Sequence, residues 1–267
     1  MKTRLLLLGC YLLTFALHAQ TPAAAPLCIG ETFTITAKEL GETRRVNVYR
    51  PPGYTAAQAA ALPILLMLDG GMAEDFLHVA GLVQVGVGNE TMRPFLLVGI
   101  ENTERRRDLT GPTTQARDRK IAPRVGGSAA FRRFLRHELL PEVRRRYRTT
   151  PETAVVGESL AGLFVVETLL LEPDLFDTYL AFDPSLWWNK EQLVAQAEAS
   201  LPAFSKPKTL FLATSNETEL AVAVARLARA AEAAPGLRLR YAPLPTETHG
   251  TIYHPAALLA FRWALGK

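Results

Sequence analysis

The sequence has 267 residues but only 2 cysteines, and with Cys10 inside the N-terminal segment Cys28 has no partner. A disulfide-stapled scaffold is excluded, and the fold has to stand on its packing. Long apolar runs are also missing. Past the N-terminus no segment approaches the roughly 20 residues that a spanning helix needs. There is no Cys/His cluster with zinc spacing, no phosphate loop and no dinucleotide fingerprint, so no metal or cofactor is implied. What is present is an ordinary globular balance, 48% hydrophobic and 21% charged with 18 Gly and 18 Pro, which rules out collagenous and disordered chains. The formal net charge of +4 invites a nucleic-acid reading until its distribution is inspected.

Met1-Lys2-Thr3-Arg4 carries two positive charges, Leu5 to Leu17 is an apolar run of 13 residues, and Ala19 is a small residue suited to cleavage. This pattern predicts a secretory signal peptide over residues 1–19, and hence a periplasmic or secreted protein with no stable membrane insertion once the signal is removed. Leu7-Leu8-Gly9-Cys10 has the letters of a lipoprotein box. It follows Arg4 too closely, with more apolar sequence behind it than ahead, and ranks second to cleavage near Ala19. Residues 20–29 form a Pro/Ala-rich lead-in, and residues 30–267 read as one domain.

Within that domain Phe33–Thr36 and Arg45–Tyr49 alternate in the strand period on either side of Gly41, as an antiparallel pair would. The later runs are continuously apolar: Ile64–Leu68, Phe95–Ile100, Ala154–Gly157, Tyr179–Phe182 and Thr209–Ala213. Leu237–Ala242 adds one more. Strands apolar on both faces belong to a mostly parallel sheet covered by helices. Ser128–Tyr147, Leu160–Leu171, Leu220–Ala234 and Pro255–Leu265 have helical length and spacing. The expected fold is therefore α/β, with about eight mostly parallel strands and helices on both faces.

Chemistry enters at Gly157-Glu158-Ser159-Leu160-Ala161-Gly162. A serine sits between an apolar strand and an apolar helix, flanked by small residues that permit a strained turn. This is the nucleophile elbow G-x-S-x-G with Ala161 as the final small residue. Serine needs a general base and a group that orients it, and around such an elbow the chain order is serine, acid, histidine. Of 5 histidines only His249 and His254 follow Ser159 and survive that order. His249 lies in a polar turn after the last strand and is the expected base; His254 adjoins Pro255 and reads as a helix-start residue. The acid is expected on the loop after the seventh strand, where Glu217 is closer to the strand end than Glu219. Asp183, after the sixth strand, and a Ser–His dyad are the alternatives. For the oxyanion hole the N–H of Leu160 is one expected donor, and Gly71 or Met72, in the turn after the third strand, the other.

Several stretches resemble one family, the putative-esterase branch of the α/β-hydrolases that includes siderophore esterases and relatives of S-formylglutathione hydrolase. They are Leu68-Asp69-Gly70, the block from Val98 to Thr110, Glu138-Leu139-Leu140-Pro141, the Ser159 elbow, Pro184-Ser185-Leu186-Trp187-Trp188 and His249-Gly250. The resemblance runs from about residue 30 to the C-terminus. It implies a serine hydrolase acting on carboxylic esters through an acyl-enzyme, with Ser159 and His249 at the family's nucleophile and base positions. Two departures stand out: Glu158 replaces a frequent His, and Asp183 precedes Pro184 where a small or uncharged residue is usual. A carboxylate at 158 either repels anionic acyl groups or points outward.

Residues 105–148 hold 13 Arg and Lys120 against Asp108, Asp118, Glu138 and Glu142, a balance of +10. The rest of the mature chain is therefore acidic, and no nucleic-acid motif accompanies the basic part. Arg105, Arg106 and Arg107 open a long loop at the C-terminal edge of the sheet, where binding crevices form. One or more of them is expected to meet an anionic small-molecule ester of siderophore type, with Trp187 and Trp188 as candidate pocket walls. An acyltransferase of the same fold and a non-catalytic binding protein are the competing classes. Product analysis with an added acceptor separates the first; the presence of Ser159, His249 and the glycine turn argues against the second.

Overall fold

Runs such as Ile64–Leu68 place apolar side chains on both faces of a strand, and only a sheet covered on both sides removes all of them from water. In the computed structural model, which describes residues 24–54 and 60–267, these runs join one eight-stranded sheet. Its strands are β1 (Glu31–Ala37), β2 (Glu42–Tyr49), β3 (Leu62–Met67), β4 (Leu96–Ile100), β5 (Thr149–Glu158), β6 (Thr178–Phe182), β7 (Lys208–Thr214) and β8 (Leu237–Pro243). All correspond to strands expected from the sequence. Their order is β1-β2-β4-β3-β5-β6-β7-β8. β2 is antiparallel to both β1 and β4, and the remaining pairings are parallel. The predicted signal segment and Cys10 lie outside the described residues. No helix among the described residues is long and apolar enough to cross a membrane.

The helices are α1 (Phe76–Gly88), α2 (Arg105–Asp108), α3 (Ala116–Arg119), α4 (Ser128–Phe134), α5 (Leu140–Arg146), α6 (Leu160–Leu171), α7 (Gln192–Ala199), α8 (Thr218–Glu232) and α9 (Tyr253–Ala264). The single helix expected over Ser128–Tyr147 is α4 and α5 joined by a π turn, Leu135–Leu139. Pro141 has no N–H to donate and its ring crowds the preceding turn, and the wider turn accommodates it. Helices α1, α2, α3 and α7 are not among those expected from the sequence. In α1 the buried set Phe76, Val79, Ala80 and Val83 nevertheless has the helical period.

Side-chain alternation along the strands sorts the core into two layers. Leu65, Met67, Val156 and Leu180 pack with Phe76 of α1 and Phe261 of α9. Leu66, Val98, Val155 and Tyr179 face the other way, with Phe131 of α4, Phe164 of α6 and Val224 of α8. Successive strands leave β3 in opposite directions, β4 to one side and β5 to the other, and the crevice at such a switch point opens at the C-terminal strand ends. Asp69, Arg105, Ser159, Asp183, Glu217 and His249 all follow C-terminal ends of strands, one each after β3 through β8.

Candidate active site

Ser159 is the residue between β5 and α6, and its backbone sits at φ 61, ψ −121. A non-glycine residue there is strained, and the surroundings hold it in place. Its N–H donates to Phe182 O at 3.0 Å, and its carbonyl accepts from Leu163 at 2.9 Å and Ser185 at 3.0 Å. Gly157 makes the sharp turn possible: a Cβ there would lie 2.7 Å from Ala161 on the first turn of α6. The helix can approach the strand so closely only because both residues are small.

The imidazole of His249 bridges two side chains. Its Nε2 is 3.0 Å from Ser159 Oγ and its Nδ1 is 2.9 Å from Asp183 Oδ2. Asp183, fully buried at 0% exposure, is aimed by its neighbours: Ser215 N–H donates to Oδ1 at 2.8 Å and Ser215 Oγ–H donates to Oδ2 at 2.5 Å. Burial opposes ionisation of Asp183, but the hydrogen bonds from His249 and Ser215 outweigh it and hold the carboxyl below the usual carboxylate range. The bond to Asp183, against the opposing effect of burial, raises His249 above an ordinary imidazole, and the nearby Glu158 adds to this. A hydroxyl, an imidazole and a buried carboxylate in this row can carry out nucleophilic attack with general-base assistance.

The structure places five of the expected residues elsewhere than the sequence suggests: Glu217, Gly71, Met72, Trp188 and Arg107. Glu217 is not the partner of His249. It is the exposed residue preceding α8, whereas the carboxylate bonded to Nδ1 is that of Asp183, one strand earlier, because β6 lies directly beside β5 and ends under the imidazole. Gly71 does not offer its N–H to the site: Glu74 Oε2 accepts it at 2.6 Å. The glycines there serve a tight turn, since a Cβ on Gly70 would lie 2.3 Å from Gly99 Cα, and Gly70 N–H is bound to Ile100 O. Met72 opens on a separate groove beside Phe76 and Leu27. Trp188 is a core residue, 4% exposed, with Nε1–H donating to Gly111 O at 3.0 Å. Arg107 is structural too. Its guanidinium is bound by Asp108 at 2.7 Å and Glu42 at 2.8 Å, and it lies outside the crevice around Ser159.

The crevice has a volume of ≈ 470 Å³ and brings the remaining candidates together: Ser159, Leu160 and His249 at its base, Arg105, Arg106 and Trp187 on its walls. Leu160 is the first residue of α6, so its N–H lies outside the helical ladder. Arg105 is pinned by Asp69 in a two-point contact at 2.7 and 2.8 Å. Arg106 is exposed and has no ion-pair partner among the described residues. Arg117 completes the wall. In the sequence it is one of many arginines in the basic segment, yet the structure sets its guanidinium 5.9 Å from the Trp187 ring centre. Asp118, next in the chain, accepts from Thr113 Oγ1 and Asn189 N–H, and so ties the Arg117 loop to the loop that carries Trp187. Glu217 and Glu219 also line the crevice.

Residues 37–240 match the family described as Putative esterase. The chain belongs to this family. Among curated relatives, the ferri-bacillibactin esterase BesA of Bacillus subtilis is 31% identical over 192 residues, covering 62% of this chain and 64% of that protein. The siderophore triacetylfusarinine C esterase of Aspergillus fumigatus is 29% identical over 191 residues, 67% of this chain and 63% of that protein. In both cases the match spans less than two thirds of the relative. Among solved structures, an IroE-like serine hydrolase from Shewanella oneidensis superposes with a TM-score of 0.78 at 28% identity, covering 88% of this chain and 80% of that one. The siderophore hydrolase EstB from Aspergillus nidulans, at 19% identity, shares the fold with a TM-score of 0.77 over 92% of this chain and 100% of its own. As a member of the family, the chain has the α/β-hydrolase fold.

Proposed function

We propose that the protein is an exported serine hydrolase that cleaves carboxylic esters through Ser159, His249 and Asp183. The observation that carries this reading is the single imidazole placed 3.0 Å from Ser159 Oγ and 2.9 Å from a buried carboxylate. His249 takes the hydroxyl proton as Ser159 Oγ attacks the ester carbonyl, and passes it to the leaving alcohol as the acyl-enzyme forms. Water then repeats the sequence and releases the acid. Leu160 N–H supports the oxyanion, and the fixed positive charge of Arg105 in the same crevice adds to it.

The substrate reading rests on the relatives and on the crevice wall. Relatives named as siderophore esterases support a siderophore-type ester. Arg106 and Arg117, both exposed, together with Trp187 suit a flat anionic group. The basic and apolar N-terminal pattern supports export. Labelling by a fluorophosphonate probe tests the chemistry. We expect an adduct and ester hydrolysis in the wild type and neither in Ser159→Ala, a loss on the order of 10⁴-fold or more. An adduct that survives Ser159→Ala sinks the reading.

A further inference from the structure

Glu158 ends β5, immediately before the candidate nucleophile, and its side chain does not turn outward. Only 18% of it is exposed, and its Oε1 lies 3.3 Å from His249 Nε2. That oxygen is buried and has no hydrogen-bond partner among the described residues. Nε2 therefore faces two groups, the Ser159 hydroxyl at 3.0 Å and a carboxylate at 3.3 Å.

The charged and titratable groups around this pair are Asp69 after β3, Arg105 in α2, Asp183 after β6, Glu217 before α8, His249 before α9 and Tyr253 in α9. The only fixed cation among these is Arg105, and both of its contacts go to Asp69. Glu158 is thus left without a counter-charge of its own. Burial pushes its carboxyl up to about 7, with His249 and Arg105 pulling it down and Asp69 and Asp183 pushing it further up. One group nearby can become a cation during the reaction, and it is the imidazole.

We infer that Glu158 is a second acidic partner of His249, a positioning residue that stabilises the imidazolium from the Nε2 side while Asp183 does so from Nδ1. The inference rests on the hydrolase reading above. As Ser159 Oγ bonds to the carbonyl carbon, the carbonyl π pair moves to oxygen and the hydroxyl proton moves to Nε2, within reach of Glu158 Oε1. The proton then leaves with the alcohol, the C–O bond breaks, and Glu158 ends as it began. A protonated Glu158 does the reverse, because its O–H competes with Ser159 for the Nε2 lone pair and its charge is gone. Glu158 and His249 consequently titrate as a coupled pair, and the active form is the one that has lost both protons.

The test is the pH profile of kcat and KM on a neutral ester for the wild type, Glu158→Gln and Glu158→Asp. Removing the charge lowers the imidazole pKa, so the acid limb of Glu158→Gln is expected to move down by about 1 in pH, with kcat at the plateau falling about tenfold and KM little changed. Glu158→Asp keeps the carboxylate and is expected to keep the wild-type limb. A second readout needs no turnover: in Ser159→Ala the His249 imidazole titrated by NMR has a midpoint that drops when Glu158→Gln is added. An unmoved limb and midpoint overturn the inference while Ser159-dependent hydrolysis stands. Absence of Ser159-dependent hydrolysis in the wild type overturns both readings.

Discussion

Two clusters of charge lie at opposite ends of the four-residue helix α2, and they are built on opposite rules. At its C-terminal end the fully buried Arg44 meets Asp108 at 2.5 Å, Arg107 meets Asp108 at 2.7 Å, and Glu42 accepts from Arg107 at 2.8 Å. Each carboxylate has a guanidinium. Against burial, Arg107 and Thr103 hold Glu42 down to about 2. At its N-terminal end Arg105 is paired with Asp69, Arg106 and Arg117 have no ion-pair partner among the described residues, and His249 is shared between Ser159, Asp183 and Glu158. The closed cluster fixes the loop that forms the crevice wall. The open one keeps charge uncommitted at the place where a reaction generates it.

Substitutions in the two clusters should therefore fail differently. Asp183→Asn in the open cluster is expected to lower kcat by about 10³- to 10⁴-fold with an unchanged unfolding midpoint, measured by ester hydrolysis beside urea denaturation. In the closed cluster Asp108→Ala takes from the buried Arg44 its shortest contact, leaving it Glu42 at 3.1 Å and Glu101 O at 2.9 Å, and is expected to cost about 3 kcal/mol of stability by urea denaturation. If it spared stability and removed only activity, the division would be wrong. A smaller effect is expected at the crevice wall. Changing Arg106 and Arg117 together to Ala should raise KM for an anionic ester about five- to tenfold and leave a neutral ester alone; equal effects on both esters would remove the wall from substrate selection. Smallest of all, Glu217→Gln should stay within about twofold of wild type, since its carboxylate does not touch His249.

Ser159 and His249 were legible because local pattern and chain order are written along the chain. The elbow needs small residues at 157 and 161 beside an apolar strand and helix, and only one histidine after it sits in a polar turn. Asp183 was harder to choose. As a letter it is an acid after an apolar strand, like Glu217 after the next one, and the choice between them depends on which strand end lies under the imidazole. Arg105, Arg106 and Arg107 are adjacent letters with three different fates, because a helical turn points successive side chains about 100° apart. Trp187 and Trp188 divide in the same way, one at the crevice and one in the core.

By itself, then, the sequence determined the alternation of buried strands and amphipathic helices, the strained serine turn and the histidine that can reach it, since each depends on residues near one another in the chain. The tertiary structure alone decided which carboxylate orients that histidine, which arginines are left for a ligand, and that Glu158 turns inward onto Nε2. Those outcomes depend on distances between the ends of separate strands, and a few ångströms there separate a hydrogen bond from solvent.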